Sequence, residues 1–173
     1  VLGSNGSSIV FEEDVSEAFA SEQVVSWNTT LDGQSVDDGF YTLGVVTTSE
    51  SGVRNVTTQG LLIDNSAPSV SLETTNTTIN SDVNSTEVTF SYSDTESGID
   101  PDSIVITEDG TDVTGEAQIN GSTASYQLTD LGTTENRTIE IQVANNASVT
   151  STQSVTITVT DQFDVAQFDR NDD

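Results

Sequence analysis

The sequence predicts an all-β protein built from two consecutive β-sandwich units. Three observations carry this prediction: apolar residues alternate with polar ones, turn-forming residues separate the alternating runs, and no long helical pattern is present. The alternating segments are residues 87–92, 103–106, 138–143 and 154–160, preceded by 23–27, 40–47 and 60–64. One short segment, 15–20, has the pattern of a helical turn.

Turn-forming pairs fall between the predicted strands, because glycine, asparagine and aspartate tolerate the backbone angles of tight turns. These pairs are Asp32-Gly33, Asp38-Gly39, Asp109-Gly110, Asn120-Gly121 and Leu131-Gly132. Short strands that recur every 8–12 residues or so are typical of a β-sandwich.

The chain divides at the segment Asp64-Asn65-Ser66-Ala67-Pro68, because proline favours a linker or the start of a strand. We predict a short or incomplete unit at 1–66, a complete sandwich at 67–161 and an acidic tail or linker at 162–173. A weak internal repeat supports this division. It aligns Trp27 with Tyr126, residues 41–46 with 137–143, and 61–64 with 158–161.

The charge of the chain indicates a protein adapted to high salt. It has 29 acidic residues, three arginines (Arg54, Arg137 and Arg170) and no lysine, for a net charge of −26. At molar salt the Debye length is about 3 Å, so this repulsion is screened over about one side chain. The same charge argues against nucleic acid or an anionic membrane as a partner, since both require a basic surface.

Several residue types needed for common active sites are missing. The chain has no cysteine, histidine or methionine, which excludes disulfides, thiolate nucleophiles and zinc sites of the His/Cys type. Serine has neither histidine nor lysine to act as its base, and carboxylates are too abundant for their proximity to indicate a glycosidase. We therefore predict that the protein is not an enzyme. No apolar run approaches the ~18 residues of a membrane span.

Asparagine residues supply the argument for an extracellular location. Eight of the 12 lie in Asn-x-Ser/Thr sequons, the acceptor motif for N-linked glycans: Asn5, Asn28, Asn55, Asn76, Asn84, Asn120, Asn136 and Asn146. Serine and threonine make up 50 of the 173 residues, so some of these sequons arise by chance. We expect glycans at some of the sites, at a cell surface or on a virus particle.

The chain also resembles a known family. The segments Trp27-Asn28-Thr29-Thr30, Asp38-Gly39-Phe40-Tyr41-Thr42-Leu43 and Ile63-Asp64-Asn65-Ser66-Ala67-Pro68 resemble the end of a prokaryotic immunoglobulin-like repeat. Residues 97–104 and 109–114 are similar to the middle of the next repeat. Such repeats occur in large bacterial and archaeal surface proteins, including those of haloarchaea. The resemblance implies tandem immunoglobulin-like β-sandwiches, the first short or incomplete, used as spacers, adhesive modules or shell-building units.

Four carboxylates with alternate spacing around Gly98 form the candidate metal site: Asp94, Glu96, Asp100 and Asp102. Calcium takes 6–8 oxygen ligands, so such a loop is a candidate Ca²⁺ site, although it lacks the closing glutamate and helices of an EF-hand. The alternative is a solvated loop between strands. A second calcium candidate is Asp64 with Glu96 or Asp161, which resembles the linker of cadherins.

These observations predict a structural glycoprotein of a halophile's outer surface, a subunit or spacer that assembles through strand edges and loops. The expected partners are further copies of the chain or other surface or particle proteins. The alternatives are a halophilic virus protein (a turret, fibre or capsid decoration) and an adhesin that binds glycans. The short first unit would form a reduced sandwich through residues 9–12 and a partner strand, or be completed by upstream strands or by a neighbouring subunit.

Overall fold

The computed structural model describes residues 30–31, 34–131 and 135–161. Within these ranges the chain forms β-strands and two short 3₁₀ helices, which confirms the all-β prediction. No helix among the described residues is both long enough and apolar enough to cross a membrane. The predicted helical turn at 15–20, the strand at 23–27 and the tail at 162–173 lie outside the described residues.

The chain divides between Ser66 and Ala67 into two compact units. The first contains two antiparallel pairs of strands: β1 with β2, and β3 with β4. Their bounds are Thr30–Leu31 for β1, Gln34–Ser35 for β2, Gly39–Thr48 for β3 and Arg54–Ile63 for β4. Its described core is small and consists of Val36, Tyr41 and Ile63, with Leu61 packed against them.

The second unit is a sandwich of two sheets, with strand orders β10-β11-β7-β5 and β6-β13-β12-β8-β9. The strands are β5 Ser69–Leu72, β6 Thr78–Asn80, β7 Ser85–Ser93, β8 Val105–Glu108, β9 Thr111–Asp112, β10 Gln118–Asn120, β11 Thr123–Thr129, β12 Asn136–Ala144 and β13 Thr150–Thr160. The 3₁₀ helices are Pro101–Ser103 and Thr114–Glu116. All pairings are antiparallel except that of β6 with β13.

The core of the second unit follows the predicted alternation. Every second residue of the long strands is buried: Val88, Phe90 and Tyr92 on β7, Ile139, Ile141 and Val143 on β12, and Val155, Ile157 and Val159 on β13. Tyr126, which was expected in the core, is buried there on β11. The strand predicted at 103–106 begins later, at Val105. Pro101 fixes its φ angle and Asp100 caps the 3₁₀ helix, so the chain first makes a helical turn.

The β3–β4 hairpin has the same internal geometry as the β12–β13 hairpin, 96 residues further on. Phe40 pairs with Leu62 as Asn136 pairs with Thr158, and both hairpins close with a five-residue loop. Ser49 N donates to Val53 O at 2.9 Å, as Asn145 N donates to Val149 O at 3.0 Å. This register aligns Leu61 with Ile157, which corrects by one residue the repeat alignment at 61–64.

Candidate functional site

The β3–β4 hairpin is a long, two-stranded sheet. Each strand has ten residues, and no other strand among the described residues pairs with either of its edges. Isolated two-stranded hairpins are marginally stable in water, and a third strand or a packed layer is normally needed. The hairpin is therefore the part of the described chain that has the most to gain from a partner.

We call one side of this hairpin the inner face, because its residues correspond to the core-facing residues of β12 and β13. Leu43 and Val45 occupy the positions of Ile139 and Ile141. Ile139 and Ile141 are 0% exposed beneath the opposite sheet of their sandwich, whereas Leu43 is 39% and Val45 is 55% exposed. Within the described part of the chain, the inner face therefore carries core residues without a covering sheet like that of the second unit.

The hairpin backbone also has groups along both edges that no strand of the described residues pairs with. In an antiparallel pair, hydrogen-bonded and non-hydrogen-bonded residue pairs alternate. The bond from Ser49 N to Val53 O sets this alternation, so the Phe40–Leu62 and Val46–Val56 pairs direct their N–H and C=O groups outward. Free backbone groups on a long edge are a template for an added strand.

Hydrogen bonds to Asp38 fix the base of the hairpin, where the chain leaves the first unit. Asp38 Oδ1 accepts from Asn65 N at 2.6 Å, and Oδ2 accepts from Ser66 Oγ at 2.5 Å. The Asn65 side chain donates to Val36 O at 2.9 Å. The hydrogen bonds from Ser66 and Asn65 lower the pKa of Asp38 from its ordinary value of 3.8.

We expect the base of the hairpin to loosen at acid pH. Because the folded state lowers the pKa of Asp38, its contribution is present above pH 3.8 and is lost as the pH falls through the lowered value. The NMR shift of the Asn65 amide should follow this titration in the native chain. The pH-dependent change of this shift should become much smaller in Asp38→Asn and stay the same size in Asp37→Asn. A change of undiminished size in Asp38→Asn would contradict the assignment.

The candidate metal loop is held together by its own hydrogen bonds. Asp94 Oδ1 accepts from Ser97 N at 3.0 Å and from Gly98 N at 2.9 Å. Asp94 Oδ2 accepts from Asn145 Nδ2 at 3.2 Å. These three bonds occupy most of the about four lone-pair sites of the carboxylate, so Asp94 closes this loop through hydrogen bonds.

The other three predicted ligands have separate surroundings. Glu96 is exposed, with carboxylate oxygens of Glu96 and Asp94 within 4.8 Å of each other. Asp100 caps the Pro101–Ser103 helix by accepting from Asp102 N at 3.1 Å, and Asp102 is exposed. In the junction alternative, Asp64 accepts from Ser66 N at 3.0 Å. Calcium binding stays a prediction, which calorimetric calcium titration in molar salt would test.

The predicted glycan acceptors are at the surface wherever the structure describes them. All six described sequon asparagines are exposed: Asn55, Asn76, Asn84, Asn120, Asn136 and Asn146. Asn5 and Asn28 lie outside the described residues. The buried asparagine, Asn145, is not in a sequon. A glycan can be attached only to an exposed asparagine, and the fold meets this requirement at all six sites. Glycosylation of these sites stays a prediction.

Two polar centres of the second unit were missed by sequence reasoning. Asn145 is 1% exposed, and its Oδ1 accepts from Ala147 N at 3.1 Å and from Val149 N at 2.9 Å. Arg137 forms ion pairs with Glu108, with Glu135 at 3.0 Å and with Asp109 at 3.7 Å. The one signal in the sequence was the isolation of Arg137 among acidic residues. Nothing in the sequence distinguishes Asn145 from the other asparagines.

Comparison with known proteins adds little to this picture. No protein-family model matches the chain, and no curated protein matches it. The chain is similar to a solved structure, the endo-β-1,4-mannanase from Thermotoga petrophila, with a TM-score of 0.44 and 10% sequence identity. The match covers 57% of this chain and 21% of the mannanase chain. A likeness this distant carries no argument about fold or activity.

Proposed function

We propose that this chain is a structural, extracellular glycoprotein subunit of a halophile's surface layer, filament or appendage. The exposed inner face of the β3–β4 hairpin carries the proposal. Leu43 and Val45 are core residues by position, and burying the 39% and 55% of them that is exposed contributes about half of the roughly 1.5–3 kcal/mol of a full burial. Strands supplied by a neighbouring subunit would cover them and pair with the free edges.

The second unit supplies the stiff part of this subunit. Its edge strands β5, β6, β9 and β10 are two to four residues long, which limits uncontrolled edge-to-edge pairing. Its strand order also supports the proposed immunoglobulin-like identity. The strands of an immunoglobulin domain are lettered A to G along the chain and form the sheets A-B-E-D and C-F-G. Here β5, β7, β11 and β10 form one sheet in the order A-B-E-D, and β8, β12 and β13 correspond to C, F and G in the other.

The surface chemistry suits this role. With a net charge of −26, two copies repel each other unless salt screens them, so we expect ordered assembly in molar salt and dissociation in dilute buffer. The exposed sequon asparagines offer sites for glycans. The same properties would serve a structural protein of a halophilic virus particle.

The assembly role predicts that Val45→Asp weakens self-association of the full chain at least about tenfold, because it places a charge on the apolar inner face. Sedimentation equilibrium in molar NaCl measures the effect. The matched control is Val83→Asp, which makes the same change at an exposed valine of the second unit. A wild-type chain that stays monomeric at every concentration, or equal effects of the two variants, would contradict the proposal.

A further inference from the structure

The side of the hairpin opposite the inner face, here the outer face, is apolar where a sandwich is normally polar. At the corresponding outward positions, β12 and β13 carry exposed polar residues that include Thr138, Glu140, Gln142, Thr152, Ser154 and Thr156. The hairpin instead carries apolar residues and glycines at six of its ten outward positions: Phe40, Gly44, Val46, Val56, Gly60 and Leu62. The other four are Thr42, Thr48, Arg54 and Thr58. Completing the first sandwich would cover the inner face only, so it does not account for these residues.

The outer face has both a protrusion and a hollow. Phe40 is 72% exposed at the base of the hairpin. Further along, Gly60 pairs with Thr42 and Gly44 pairs with Thr58, so two glycines lie at the centre of the face. A Cβ atom placed on either glycine would meet no atom within 4 Å. Val46 and Val56 close the far end of this hollow and are themselves exposed.

The distribution of charge selects a second copy of this chain as the occupant. Residues 39–63 contain one acidic residue, Glu50, and one basic residue, Arg54, for a net charge of zero. The rest of the chain therefore carries the whole charge of −26. Two copies that meet through their hairpins therefore bring together two surfaces without net charge, whereas contacts through the acidic parts of the chain bring like charges together.

The sequon at Asn55 leaves the outer face available for a contact in addition to the one proposed for the inner face. Asn55 pairs with Thr47 and projects on the inner side of the hairpin, near its tip. It is the sequon asparagine of residues 39–63, so a glycan there leaves the outer face free of sugar.

We propose that the outer face is a self-docking surface, in which Phe40 of each copy lies in the Gly44–Gly60 hollow of the other. The contact is isologous, because the protrusion and the hollow are on the same face and both are satisfied by one two-fold axis. An aromatic anchor seated in a pocket is the typical centre of such an interface. This inference rests on the assembly role and names the surface by which two subunits join.

Two substitutions of the full chain test the contact by sedimentation equilibrium in molar NaCl. Phe40→Ser should weaken dimerisation by about 30-fold or more, the usual loss for an aromatic anchor. Val53→Ser, at an exposed valine of the hairpin loop, should leave it unchanged. Gly44→Thr fills the hollow and should weaken dimerisation while raising the melting temperature, because threonine favours strands and nothing obstructs its side chain. A purely structural role for Gly44 would not give these opposite effects.

Cross-linking identifies the face directly, since the natural chain has no cysteine. Thr58→Cys should give covalent dimers with a short bis-maleimide, and Ser154→Cys, at the corresponding outward position of β13, should not. If the wild-type chain associates but Phe40→Ser and Gly44→Thr do not weaken it and Thr58→Cys does not cross-link, the outer-face contact is wrong while the assembly role stands. A monomeric wild-type chain would overturn both.

Discussion

Replacing Asn145 by alanine should destabilise the second unit by about 3 kcal/mol. The side chain is 1% exposed, accepts from Ala147 N and Val149 N within the β12–β13 loop, and donates to Asp94 in the loop after β7. Alanine leaves Ala147 N and Val149 N without their acceptor, and a buried donor that loses its partner costs about 1–3 kcal/mol. Asp94 at the same time loses its hydrogen bond from Asn145 Nδ2 in the β12–β13 loop.

Thermal and chemical unfolding in molar salt measure this loss, with Asn80→Ala as the same change at an exposed asparagine. Asn145→Ser provides a graded comparison. In the corresponding hairpin loop of the first unit, Ser49 Oγ accepts from Val53 N at 3.1 Å, as Asn145 Oδ1 accepts from Val149 N. Serine should therefore recover part of the stability that alanine loses. Equal losses for Ser and Ala would contradict the role assigned to this acceptor.

Arg137→Gln should also lower the stability of the second unit, by about 2 kcal/mol. Arg137 is 22% exposed and Glu108 12% exposed, so the pair lies between a surface salt bridge and a buried one. The second oxygen of Glu108 accepts from Tyr126 Oη at 2.6 Å. Without Arg137, the carboxylate of Glu108 stays partly buried beside Glu135 and Asp109 and lacks its cation.

Arg54→Gln is the matched control, because Arg54 is the other arginine of the described residues and it is exposed on the hairpin. Both variants lose one positive charge, so the difference between them reports the local ion pairs rather than the net charge. Denaturant unfolding of the second unit gives that difference. Equal free energies of unfolding for the two variants would show that the cluster around Arg137 does not stabilise the fold.

The strands of the second unit were predictable because their information is local. The alternation of apolar residues at Val88, Phe90 and Tyr92 indicates a strand with one buried face, and this inference needs no information about other segments of the chain. The start of β8 was less predictable, because Pro101 and Asp100 impose a helical turn that alternation does not register.

The candidate site was also predictable only in part. The sequence identified the sequon asparagines, and those described are exposed, three on strands and three in loops. The spacing of the carboxylates placed Asp94 and Asp100 in one predicted metal site. In the structure, Asp94 accepts a hydrogen bond from the backbone of Gly98, and Asp100 caps a 3₁₀ helix. Carboxylate spacing alone does not show which oxygens are already occupied by backbone N–H groups.

By itself, the sequence determined the all-β class, the core alternation of the second unit, the acidic surface and the absence of thiol and imidazole chemistry. These properties depend on composition and on periodicity within single strands. Only the tertiary structure decided that Asn145 is buried, that Arg137 meets Glu108, and that Leu43 and Val45 are exposed on a two-stranded sheet. Each depends on which segments lie opposite one another, and long-range pairing leaves no mark in the local pattern of residues.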